Sequence, residues 1–173
     1  NAIAIFLTFR PQKFKFMIKK FSLVLFALLI GQLSWAQDDP RWVRYPAISP
    51  DGSQIVFTYK GDLYLVPSAG GEAKQLTFHE AHDYKAVWSK DGKQLAFASD
   101  RYGNFDIFIM SAFGGPASRL TFHSNDEMPF DFTADGSGVI FGAQRMDIAS
   151  HRQYPTGSQP ELYQVPVKGG RVD

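Results

Sequence analysis

The stretch that decides the fold is Asp83–His123, DYKAVWSKDGKQLAFASDRYGNFDIFIMSAFGGPASRLTFH. No apolar spacing of helical period runs through it. Lys85 to Ser89 reads as a short extended segment. Asp91-Gly92 follows as a hairpin turn, because Asp-Gly accepts positive φ at low cost. Gln94 to Ala98 is a second strand, with Leu95 and Phe97 on one face and Ala96 and Ala98 on the other. After the loop SDRYGN, Asp106 to Ser111 is a third strand, nearly all apolar after its first residue. Gly114-Gly115 turns the chain, and Ser118 to Thr121 is a fourth strand.

The same pattern occurs three times. The upstream copy, Arg44–His79, reads RYPAISPDGSQIVFTYKGDLYLVPSAGGEAKQLTFH. The downstream copy reads EMPFDFTADGSGVIFGAQRMD over Glu127–Asp147, then an insertion, then ELYQVPVKGGRVD over Glu161–Asp173. Asp-Gly pairs recur at Asp51-Gly52, Asp91-Gly92 and Asp135-Gly136. Gly-Gly pairs recur at Gly70-Gly71, Gly114-Gly115 and Gly169-Gly170. A four-stranded antiparallel unit repeated every 40 to 45 residues or so is the signature of a β-propeller blade. The expected fold is therefore all-β, with blades at about 42–79, 80–123 and 124–173, the last lacking most of its fourth strand. A β-sandwich would not require the same words at the same place in every unit. Propellers close with about four to eight blades, so three leave the ring open, and the sequence is expected to continue beyond Asp173.

Upstream of the repeats, MIKKFSLVLFALLIGQLSWAQ begins at Met17. Lys19 and Lys20 precede an apolar run from Phe21 to Leu33, and Ser34-Trp35-Ala36 places small residues at −3 and −1 of a cut before Gln37. This is the layout of a secretory signal peptide over 17–36, too short for a membrane span of about 20 residues. Localisation is expected to be periplasmic or secreted, with membrane contact only through this segment. Residues 1–16 read as upstream sequence outside the natural start, which leaves 37–173 for the repeats. The net charge of +1 reflects this leader. The 18 basic residues less Arg10, Lys13, Lys15, Lys19 and Lys20 leave 13 against 17 acidic ones, a net of −4. No basic patch for a phosphate backbone survives, so a nucleic-acid partner is not expected. With no cysteine, disulfides and thiolate metal sites are excluded.

Few residues suggest chemistry. HEAHD, with His79, Glu80, His82 and Asp83, spaces its histidines three apart in a loop, not four apart on a helix as the zinc motif needs. No metal or cofactor is expected. No G-x-S-x-G elbow is present, and Ser49, Ser89, Ser99 and Ser111 all occupy repeat positions, so no catalytic residue is assigned. Asp100, in DRYGN, is expected to accept backbone N–H bonds and fix a turn. The insertion Ile148–Pro160 lengthens a loop of the third blade, and its His151, Arg152 and Tyr154 are candidate contacts for a peptide or a protein partner. Trp42 and Trp88 are expected in the blade core. In the recurring Leu-Thr-Phe-His, Leu and Thr are expected on the last strand, Phe at the blade junction, and His at the start of an exposed connection.

The words SPDGSQIVF, WSKDGKQLAFASDRYGNFDIF and GGPASRLT resemble the repeats of TolB and of the N-terminal propeller of tricorn-type proteases. The longer string RWVRYPAISPDGSQIVFTYKGDLYLVPSAGGEAKQLTFHEAHDYKAVWSKDGK, after a signal peptide, looks most like secreted tricorn-like serine peptidases. The resemblance implies a propeller that gates or binds peptides for a downstream catalytic domain of the same polypeptide, which would supply the catalytic serine and histidine. Two alternatives stand beside it. One is a TolB-like periplasmic protein-binding scaffold, and the other is the propeller of a prolyl-oligopeptidase-like hydrolase.

Overall fold

The computed structural model describes residues 42–145 and 161–173, so the signal segment, the upstream residues and the insertion carrying His151, Arg152 and Tyr154 lie outside the described residues. Eleven strands follow one another among those described: β1 (Arg44–Ile48), β2 (Gln54–Tyr59), β3 (Asp62–Pro67), β4 (Lys74–Gln75), β5 (Asp83–Trp88), β6 (Gln94–Ser99), β7 (Asp106–Ser111), β8 (Ser118–Arg119), β9 (Glu127–Phe132), β10 (Gly138–Ala143) and β11 (Glu161–Pro166). They form antiparallel sheets in the orders β1-β2-β3-β4, β5-β6-β7-β8 and β11-β10-β9. These are the three blades read from the repeats. Beside β11, Gln164 and Asp173 exchange backbone hydrogen bonds of 2.8 and 3.0 Å.

Each Asp-Gly turn is held by the residues around it. Ser49 Oγ donates to Asp51 Oδ1 at 2.6 Å, and the same oxygen accepts the Ser53 N–H at 3.0 Å. Gly52 supplies φ +73°, which a β-carbon would resist. Ser89 and Asp91, then Thr133 and Asp135, repeat the arrangement. The hydrogen bonds favour the charged carboxylate. They pull Asp51, through Ser49 first, and Asp135, through Thr133 first, down to about 2, and they lower Asp91 as well.

Two cores lie between the sheets. Val56, Leu63 and Leu65 of the first blade pack on Leu95, Phe97, Phe108 and Met110 of the second. Ala96, Ile107 and Ile109 point the other way, onto Phe132, Val139, Phe141 and Val165 of the third. This is why β6 and β7 do not alternate apolar with polar residues: the middle blade is covered on both faces. Each fully buried Leu or Phe contributes about 1.5–3 kcal/mol.

Trp88 joins the core as expected, and its Nε1 donates to the Ala47 carbonyl at 3.0 Å. Trp42 does not. It is 64% exposed, at the very start of the first sheet, where only Arg44 lies over its ring. The Leu-Thr-Phe-His words also divide differently from the sequence reading. Leu76, Thr77, Leu120 and Thr121 are not on the last strands, which end at Gln75 and Arg119, but they are buried, whereas Phe78 and Phe122 are 78% and 72% exposed. The threonine is the reason the word is fixed. Thr77 Oγ1 accepts the Leu63 N–H and Thr121 Oγ1 the Ile107 N–H, both at 2.9 Å. Once Leu and Thr face inward, the next side chain leaves the sheet.

Candidate functional site on the inner strands

The first strands of the blades, β1, β5 and β9, lie beside one another, whereas β4 and β8 make no comparable contact with a neighbouring sheet. The sheets therefore fan out from a shared inner side, and the side chains there belong to three different repeats. The inner strands depart from regular pairing at matching places. β1 is irregular between Arg44 and Ala47, β5 between Tyr84 and Val87, and β9 opposite Ile140 and Phe141. At two of these bulges a residue other than glycine sits at positive φ, Tyr45 at 51° and Lys85 at 56°. Pro129 holds the matching position of β9 and cannot adopt such an angle. A left-handed conformation costs an ordinary L-residue about 1–2 kcal/mol. Bulges re-aim side chains and gather beside functional sites.

The side chains re-aimed here are mostly aromatic. The Tyr45 and Tyr84 rings meet at 5.4 Å across the first two blades, and Tyr84 meets Phe105 at 4.7 Å and His82 at 5.4 Å. Burial raises the Tyr84 phenol above its ordinary value, with Tyr45 and Asp126 adding to the effect. Lys85 leans the other way, with Nζ beside the Met128 sulfur and 5.1 Å from the Phe130 ring centroid.

Behind this surface, three buried ion pairs set the blade entries. Arg101 reaches Asp83, Arg119 reaches Asp106 and Arg145 reaches Glu127, each at 2.7 Å, and all three acids are fully buried. The guanidinium of Arg101 lies over Phe97 and Phe108, and that of Arg145 over Phe141 and Tyr163. Burial pushes Asp106 above the usual carboxylate range against the pull of Arg119. Burial also raises Asp62 against its hydrogen bond from Thr77. The backbone completes each joint: the Asp83 N–H donates to the Gly61 carbonyl and the Glu127 N–H to the Phe105 carbonyl, both at 2.7 Å.

The chemistry-bearing residues singled out from sequence are placed in structural roles. His79 Nδ1 accepts the Ala81 N–H at 3.0 Å and His123 Nδ1 the Asn125 N–H at 3.1 Å, so each histidine ties its own loop. Asp100 accepts a backbone N–H as expected, at 2.7 Å, but the donor is His82 in the connection between blades and not a residue of its own turn. Ser49 and Ser89 are occupied in the Asp-Gly turns. Among the described residues no group of His, Asp and Glu could hold a metal ion. A cleft of about 510 Å³ runs along β9 and the end of β10, lined in part by Asp126, Met128, Phe130 and Gly142. The corresponding strip of the middle blade, along β5 and β6, is covered by β9. The cleft thus has the form of a seat for an inner strand. Lys85 and the paired bulges gave no signal in the sequence. The arginine partners could have been read from Asp83-Arg101 and Glu127-Arg145, which share an 18-residue spacing.

Comparison with known proteins agrees with this architecture. The family model described as the tricorn protease N-terminal beta propeller domain matches residues 40–173. TolB from Acinetobacter baumannii is similar at 25% identity and a TM-score of 0.59, over 75% of this chain and 31% of that one. A puromycin hydrolase, the S511A mutant complexed with PGG, matches at 18% identity and a TM-score of 0.59, over 78% of this chain and 22% of that one. The chain thus spans about a third of the first protein and about a fifth of the second.

Proposed function

From a chain that belongs to the family of tricorn protease N-terminal β-propeller domains, we propose a non-catalytic propeller segment of a periplasmic or secreted serine peptidase. It binds peptides and gates their passage to a catalytic domain downstream in the same polypeptide. The observation that carries this reading is the inner surface. Three repeats place bulged strands side by side, and two of them spend backbone strain to present Tyr45 and Lys85 there. A surface of aromatic rings and one cation suits extended peptides, whose side chains and termini vary while their backbone does not. The insertion with His151, Arg152 and Tyr154 is a second candidate contact for a peptide or partner.

A TolB-like binding scaffold is the second reading, favoured by the 25% identity to that protein. One experiment separates the two. These 173 residues contain no cysteine, so Tyr45→Cys in a full-length protein whose cysteines elsewhere are replaced by serine gives a unique thiol for a bulky maleimide. Gating expects peptide turnover of the variant to fall on labelling, relative to the same variant unlabelled. Unchanged turnover after complete labelling would refute gating and leave the scaffold reading.

A further inference from the structure

Among the described residues, every lysine and arginine that is at least half-buried has a carboxylate partner, except one. Arg101, Arg119 and Arg145 are matched by Asp83, Asp106 and Glu127. The ion-paired surface cations Lys90, Lys93 and Arg171 face Asp131, Asp91 and Asp173. Lys85 is half-buried, and among the described residues its ammonium meets only the Met128 sulfur and the Phe130 ring. The acid on the same inner side, Asp126, is engaged by the Phe105 N–H at 3.0 Å. A half-buried ammonium loses hydration and normally recovers it through a charged partner. A thioether and a π face hold the lysine stem and leave the charge itself unanswered.

The backbone adds a second, independent observation. Lys85 is held at φ 56° on the bulge of β5, a conformation that costs lysine more than asparagine or glycine. Tyr45 occupies the matching place in the first blade and Pro129 in the third, so the charge is not a requirement of the repeat. The strained bulge is shared with Tyr45, but of the matching positions only that of the second blade carries a cation, and an unpaired cation on the side where three blades meet points to a ligand group.

We propose that Lys85 is a carboxylate-recognition residue of the inner surface, flanked by the Tyr45–Tyr84 ring pair. It takes the carboxylate of a peptide, either at its C-terminus or on an acidic side chain. This inference rests on the peptide-binding reading above and adds selectivity to it. The ammonium replaces lost water with the peptide carboxylate, and the rings cover the adjacent residue and exclude solvent. A basic peptide at the same place meets like charge and is disfavoured.

The test is equilibrium binding, by titration calorimetry, of unlabelled N-acetylated hexapeptides of one neutral sequence to the full-length protein. One peptide ends in a free carboxylate, one in a carboxamide, one in a carboxamide with two internal glutamates, and one in a carboxamide with two internal lysines. The proposal expects one of the two carboxylate-bearing peptides to bind roughly fivefold or more tighter than the plain carboxamide, and the lysine peptide to bind weakest. Whichever carboxylate peptide leads identifies the source. Lys85→Met removes the advantage without weakening the carboxamide, and Lys85→Arg retains it within about twofold. A salt titration of the unaltered protein gives the same answer without a variant, since rising salt weakens carboxylate peptides selectively. Equal binding of all four peptides overturns the role of Lys85 and leaves peptide binding intact. Absence of binding by any of them overturns both.

Discussion

Replacing Thr121 by valine asks whether the repeated Leu-Thr-Phe-His word is held by a hydroxyl or by an apolar contact. Thr121 is 1% exposed, and its Oγ1 accepts the Ile107 N–H at 2.9 Å, at the point where β7 leaves its loop. Valine keeps the branched shape and deletes the acceptor, so the change opens no cavity and leaves one buried N–H without a partner. Such a group costs about 1–3 kcal/mol, and no solvent route relieves it here. Thr77→Val does the same to the Leu63 N–H and also removes a donor from Asp62, 3.1 Å away. Its cost therefore equals or exceeds that of Thr121→Val. Serine at either position keeps the hydroxyl and loses one methyl, about 0.8 kcal/mol. The assay is urea unfolding followed by tryptophan fluorescence, where a loss of about 2 kcal/mol moves the midpoint by about 1 M at an unchanged slope. Valine variants as stable as the parent would refute the reasoning. So would serine variants less stable than the valine ones.

Other predictions follow from the same contacts. Arg101→Met strands the fully buried Asp83 and costs about 3–5 kcal/mol, while Asp83→Val with Arg101→Met recovers most of it, measured by the same unfolding. The first blade already carries Val43 at the matching place and has only Lys60-Gly61 as its short turn. Lys85→Asn relieves left-handed strain by up to about 1 kcal/mol, so its melting temperature rises or holds as carboxylate preference disappears. The depressed acids Asp51 and Asp135 contribute stability that is present above about pH 4 and lost as pH falls through about 2. The raised Asp106 and Asp62 act with the opposite sign, since their burial penalty is relieved on protonation. Melting temperature against pH should thus hold or rise toward pH 4 and then fall, with a shallower fall in Asp135→Ala.

The blades were legible because their signals are local and recur. Asp-Gly and Gly-Gly mark turns by backbone chemistry alone, and β7 spans Asp106–Ser111, the segment read from sequence. The middle strands read as apolar on both faces because they are buried on both faces. What failed was the assignment of single aromatic residues. Trp42 and Phe122 carry the same apolar signal as Trp88 and Phe97, but exposure depends on where each sheet begins and on which neighbour turns inward. The inner surface was invisible for a related reason. A bulge at Lys85 follows from pairing with β6, and no residue of DYKAVW announces a positive φ. Two of the three arginine–acid pairs join residues 18 apart, a spacing that turn and strand patterns do not use and that only its recurrence in two blades could have exposed.

The joints between blades also have a mechanical side. At the end where inner strands begin, blades are tied main chain to main chain, Asp83 to Gly61 and Glu127 to Phe105. At the Asp-Gly end the ties are side chains, Trp88 to Ala47 and Lys90 to Asp131. A main-chain rivet survives almost any substitution, whereas a side-chain tie can be lost in a single step. The array therefore behaves as a hand fan pinned at one end, stiff at the pin and adjustable at the rim. Amide exchange should be slowest at Asp83 and Glu127, and mutational drift should change the pitch between blades before it separates them.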